Sequence, residues 1–86
     1  MKLLKFWAPW CGPCKQQAKV LEDFKDLPIE EVNIEEEENL DKVDRYGIRS
    51  IPTLIITDNT GTEIKRFNGL TPIDEIKKFC NETSYE

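Results

Sequence analysis

The chain has 86 residues, a formal net charge of −5, three cysteines and no histidine. A chain this short buries only about 60–65% of its unfolded surface, which allows one core and a narrow margin of stability. The acidic balance disfavours nucleic acid and anionic membrane as partners, and an odd cysteine count with one close pair does not suit a disulfide-stapled secreted scaffold.

Met1 to Trp7 has neither a long apolar stretch nor a small-residue cleavage site, so no signal peptide is expected. No segment approaches the roughly 20 apolar residues of a membrane span, and a cytoplasmic location, where thiols stay reduced, is the expectation. Leu3 to Trp7, apolar and partly alternating, predicts a buried strand that runs into Ala8-Pro9. From Gly12 to about Asp26 the pattern turns helical, with Cys14, Ala18, Leu21 and Phe24 recurring every three or four residues. Pro13 suits the first turn of that helix, where its missing N–H costs nothing. Leu27-Pro28 stops it, and Ile29 to Ile34 predicts a second strand.

The acids Glu35 to Glu38 lead into Leu40, Val43 and Tyr46 at helical spacing, with Gly47 where a C-terminal glycine belongs. Acids ahead of a helix favour its N-terminal dipole, so this run reads as a solvated helix start and not as an interaction patch. Pro52 to Thr57 is β-branched and predicts a strand, Asp58 to Gly61 a turn, and Glu63 to Phe67 the return strand. Thr71-Pro72 opens a last helix, with Thr71 as cap and with Ile73, Ile76, Phe79 and Cys80 on one face. The order βαβαββα predicts a single layered α/β domain over residues 1–86 with an antiparallel hairpin near its end.

Cys11 falls at the junction of the first strand and first helix, where orphan backbone N–H groups and the helix dipole stabilise a thiolate. Cys14 lies a turn further on, within reach of a disulfide that closes too small a loop to contribute much structural stability. The spacing suits a bond that is made and broken. A structural zinc site takes four Cys or His ligands, and one Cys-x-x-Cys with a distant Cys80 does not supply them, so no metal ligand is assigned. A zinc site completed by carboxylates, an iron–sulfur cluster shared between two chains and a purely structural dithiol are the minor alternatives. Cys80, on an apolar helical face, reads as a core residue and not a regulatory thiol.

Phe6-Trp7-Ala8-Pro9-Trp10-Cys11-Gly12-Pro13-Cys14-Lys15 resembles the active-site segment of the thioredoxins, and Tyr46-Gly47-Ile48-Arg49-Ser50-Ile51-Pro52-Thr53-Leu54 resembles their second signature. Gly69 falls where that family keeps a glycine after its last strand. The likeness covers essentially the whole chain, in a minimal form without the usual N-terminal strand and helix. It implies a thioredoxin-like fold, with a four-stranded mixed sheet and three helices, and a cis Ile51–Pro52 bond facing the dithiol. It further implies a substrate surface of Trp10, Gly12, Pro13, Ile51, Pro52, Gly69 and Leu70, with substrate backbone pairing at Ile51.

Three positions depart from the family pattern. Lys5 stands where thioredoxins usually have a buried Asp, and Glu31 where they usually have a Lys. A joint exchange avoids an unpaired charge beneath the dithiol, so Lys5 and Glu31 are expected to meet there, Glu31 taking the proton role of the Asp. Exposure of both residues is the alternative. Lys19 replaces a helix-kinking proline and implies a straighter first helix.

The resemblance implies a monomeric protein-disulfide reductase with Cys11, Cys14, Glu31 and Lys5 as its working residues. It needs no bound cofactor, and its partners are disulfide-containing proteins and an upstream reductase of the thioredoxin-reductase kind. A glutaredoxin-like reductase drawing on glutathione, and a binding subunit with an incidental dithiol, are the alternatives.

Overall fold

A computed structural model of the chain describes residues 1–82; residues 83–86, the end of the expected domain, lie outside the described residues. The elements in chain order are β1 (Lys2–Trp7), α1 (Gly12–Val20), β2 (Ile29–Asn33), a short 3-10 turn (Glu37–Asn39), α2 (Leu40–Arg45), β3 (Thr53–Thr57), β4 (Glu63–Asn68) and α3 (Ile73–Glu82). The strands form one mixed sheet in the order β2-β1-β3-β4. β1 pairs parallel with β2 and antiparallel with β3, and β4 closes an antiparallel hairpin on β3.

The two inner strands explain the sequence pattern. β1 and β3 have neighbours on both sides and helices over both faces, so Leu3-Leu4 and Leu54-Ile55-Ile56 are buried without a polar alternation. The edge strands carry most of the charge: Glu30 and Glu31 on β2, Lys65 and Arg66 on β4. Charged residues on exposed edges also discourage pairing with other chains.

Alternation along β1 divides the core in two. Leu3 points to one face with Leu54, Ile56 and Phe67, where Leu21, Phe24, Ile76 and Cys80 cover it. Leu4 and Phe6 point to the other with Val32 and Ile55, covered by Val43 and Tyr46 of α2 and its following turn. Lys5 shares the parity of Leu3, which turns it toward the α1 side, and its register partner is Glu31.

Two boundaries differ from the sequence expectation. α1 ends at Val20, not near Asp26. Beyond it the chain tightens into turns, with Glu22 N–H bonding Lys19 C=O (3.2 Å) and Phe24 N–H bonding Leu21 C=O (3.0 Å). These tighter turns keep Leu21 and Phe24 in the core after regular helix has stopped, which is why the apolar spacing ran on. Lys19 is the penultimate residue of the helix, so little helix remains past the place where the family's proline bends it. The second difference is at α3, which begins at Ile73, and the Thr71 hydroxyl donates to Gly69 C=O (2.9 Å) in place of the expected cap.

α2 stops as its sequence predicts. Gly47 has φ +61°, and the bonds Gly47 N–H to Asp44 C=O (3.1 Å) and Ile48 N–H to Val43 C=O (3.0 Å) satisfy the last carbonyls. A side chain would strain that left-handed position.

Candidate active site

The turn after β1 delivers Cys11 to the N-terminal end of α1. Cys11 is the N-cap, with extended backbone (φ −88°, ψ 110°), and its sulfur accepts a hydrogen bond from Cys14 N–H at 3.1 Å. Pro13 sits in the first turn, where no amide is missed. Cys11 and Cys14 are joined in a disulfide with their Cα atoms 5.2 Å apart. Both are nearly buried, packed with Ala8 and flanked by Trp7, Ile34 and Ile51.

Ile51 reaches this cluster from the loop before β3, and the Ile51–Pro52 peptide bond is cis, as the resemblance implied. Thr53 Oγ1 donates to Ser50 C=O (2.7 Å) and Gly69 N–H to Pro52 C=O (2.8 Å), so this loop is tied on both sides. Gly69 has φ +83°, a conformation that favours glycine. Trp10 is 65% exposed and Leu70 45%, large apolar side chains left uncovered. Gly12 opens α1, and a Cβ there would meet nothing within 4 Å, so packing does not require a glycine.

Beneath the dithiol, Lys5 and Glu31 meet. The Lys5 ammonium lies 3.2 Å from one carboxylate oxygen of Glu31 and 3.3 Å from the other. The Lys5 side chain is only 8% exposed while that of Glu31 is 55% exposed, so the pair is half-buried with its cation inside. The alternative in which both are exposed therefore fails for Lys5. A cavity of about 250 Å3 brings Lys5 and Glu31 together with Cys14, Trp7, Pro9 and Ala18.

Two polar residues at the site were not picked out in the sequence. Glu35, read there as part of a solvated run, accepts a hydrogen bond from the Trp10 indole N–H. Gln17, fully buried on α1, bonds both backbone groups of Thr71. A lone acid at the head of an acid run and a Gln among Lys and Gln carry no distinguishing signal in the sequence.

Cys80 lies on the core face of α3. Burial, and the Asp26 carboxylate beside it, push its thiol up, which keeps it protonated and poorly reactive. Among the described residues no group of three or more His, Cys, Asp or Glu could hold a metal ion, and no helix is long and apolar enough to cross a membrane.

The family model for thioredoxin matches residues 1–82. The chain belongs to the thioredoxin family. It is 37% identical to a thioredoxin of Alicyclobacillus acidocaldarius over 78 residues, spanning 87% of this chain and 73% of that protein. It is 36% identical to a thioredoxin of Bacillus subtilis over 83 residues, spanning 93% of this chain and 79% of that one. Among solved structures, a mutant thioredoxin from Halobacterium salinarum superimposes with a TM-score of 0.81 at 28% identity, over 98% of this chain and 74% of the other. Family membership and the Cys11–Cys14 pair make the protein a thiol–disulfide oxidoreductase, a protein-disulfide reductase. Thioredoxins work on disulfide substrates and are recharged by reductases, and those general properties carry over.

Proposed function

We propose that Cys11 is the attacking sulfur and Cys14 the resolving one, in a monomeric cytoplasmic reductase that acts as one unit over residues 1–86. The observation that carries this reading is the Cys14 N–H bonded to Cys11 Sγ at the helix N-terminus. Once the disulfide opens, the same amide and the helix dipole favour an anionic sulfur at Cys11.

The reaction proceeds in two exchanges. Cys11 thiolate attacks one sulfur of a substrate disulfide, that bond breaks, and the other substrate sulfur leaves as a thiolate. Cys14 then loses its proton, attacks the Cys11 sulfur and releases the second substrate thiolate, leaving the Cys11–Cys14 disulfide and a substrate reduced by two electrons. Glu31 takes the Cys14 proton across the cavity they share, with Lys5 holding its carboxylate there. Trp10, Gly12, Pro13, Ile51, Pro52, Gly69 and Leu70 form the surface on which an extended substrate segment lies, its backbone pairing at Ile51 as an added strand does.

Insulin reduction tests the assignment. The wild-type chain is expected to reduce insulin and Cys11→Ser is not, while the serine hydroxyl is expected to cap α1 still and keep the fold. Full activity in Cys11→Ser would make the dithiol incidental, as in a binding subunit. Electrons come from a thioredoxin reductase and not from glutathione, a choice supported by Trp10 and the Gly12-Pro13 pair. Faster insulin reduction with glutathione and its reductase would reverse that choice.

A further inference from the structure

We propose that Gln17 is a positioning residue that fixes the Gly69–Thr71 loop against the helix bearing the dithiol, and so sets the affinity for protein disulfides. The inference rests on the reading of Gly69 and Leu70 as part of the substrate surface.

Gln17 is fully buried on α1, three residues after Cys14. A buried side-chain amide is costly unless both its donor and its acceptor are satisfied. Both are met by one distant residue. Gln17 Nε2 donates to Thr71 C=O at 3.0 Å, and Thr71 N–H donates to Gln17 Oε1 at 2.8 Å. The amide thus pairs with the loop backbone as a neighbouring strand would, across a sequence separation of 54.

The loop is held at its other end as well. Gly69 N–H bonds the carbonyl of Pro52 at 2.8 Å, and the Thr71 hydroxyl closes the turn onto Gly69 C=O at 2.9 Å. Leu70 lies between the two anchors with its side chain uncovered. One anchor leads to the cis-proline loop beside the dithiol and the other to the dithiol's own helix. The place of Leu70 relative to Cys11 is therefore fixed by Pro52 and Gln17 together. Without the Gln17 amide, the N–H and C=O of Thr71 are left buried and unpaired, and the loop must shift to reach water.

The test uses the full chain, reduced beforehand, with its oxidation followed by tryptophan fluorescence against insulin concentration. Gln17→Met keeps side-chain length and removes both bonds. It is expected to raise the half-saturating insulin concentration about tenfold while the limiting rate stays within about twofold. The rate with hydroxyethyl disulfide, which lacks a polypeptide segment to lie along the loop, is expected to stay within about twofold as well. A folded variant with unchanged half-saturation, or with both substrates slowed alike, overturns the proposal.

Leu70→Ala, measured in parallel, separates the two readings. If it weakens insulin binding and Gln17→Met does not, the positioning role alone is lost; if it has no effect, the substrate-surface reading falls and this inference with it. Should Gln17→Met fail to fold, amide hydrogen exchange in the wild-type protein decides. Thr71 N–H is expected to exchange about a hundredfold more slowly than Leu70 N–H, and equal rates contradict the proposal.

Discussion

Lys5 brings an ammonium group into the core-facing side of an inner strand, with the half-exposed Glu31 carboxylate as its partner. The two residues are not equivalent in cost. Removing Glu31 leaves a buried cation poorly compensated, whereas removing Lys5 leaves a carboxylate that water already reaches. Glu31→Gln is therefore expected to destabilise the protein by about 1–2 kcal/mol, less than the 3–5 of a fully buried pair. Lys5→Met should be near neutral or stabilising, and urea unfolding of the two variants compares them directly. Equal losses would mean that the pair contributes as an ordinary surface bridge. The pairing was legible from positions 5 and 31 because they differ from the family pattern together, with opposite charge. That the cation is the buried member was not, since it depends on how deep β1 lies and not on either residue type.

At the scale of elements, Glu30 binds three pieces of the fold to one another. Its carboxylate on β2 takes Lys2 from β1 at 2.6 Å and Lys42 from α2. The Lys2 and Lys42 ammonium groups hold the Glu30 carboxyl below the usual carboxylate range. A carboxyl lowered in the folded state stabilises fully above its unfolded pKa, and that contribution is lost as pH falls through the folded value. Glu30→Gln is thus expected to cost about 0.5–1 kcal/mol at pH 7, as a partly exposed pair does. The gap to wild type should close as pH falls below about 4, which thermal unfolding at several pH values would follow. A gap independent of pH would mean that packing, and not charge, accounts for the loss.

The strands and α2 were legible from period and punctuation: β-branched Thr53–Thr57, the Asp58–Gly61 turn, and Gly47 past Tyr46. The end of α1 was not. Leu21 and Phe24 keep helical spacing, and a 3-10-like turn satisfies the same spacing with fewer residues per turn. Glu35 illustrates a different limit. Its bond to Trp10 joins the end of β2 to the turn before α1, and nothing local marks one glutamate among four.

Across the whole molecule, one sheet separates two cores, and both must hold for the site to hold. Ile76 of α3, fully buried, packs on the sheet face that also receives Leu21 and Phe24 of the dithiol's side. Ile76→Ala is expected to cost about 2–4 kcal/mol. In a domain this small each kcal/mol shifts Tm by about 4–8 °C, so calorimetry should show a fall of at least about 8 °C. A smaller fall would mean that the core closes over the lost methyl groups. The whole-chain fold was legible because two separate motifs and the element order agreed. The long-range bonds of Gln17 to Thr71 were not, because a backbone partner has no side-chain signature.

The proposed mechanism requires that Cys11 alone make the first bond to substrate. Trapping with Cys14→Ser tests this, because the serine cannot resolve a mixed disulfide. Reduced Cys14→Ser mixed with insulin should accumulate an adduct that mass mapping places on the Cys11 peptide, with Cys80 unmodified. An adduct on Cys80, or no adduct while the wild-type chain reduces the same insulin, would mean that Cys11 is not the attacking sulfur.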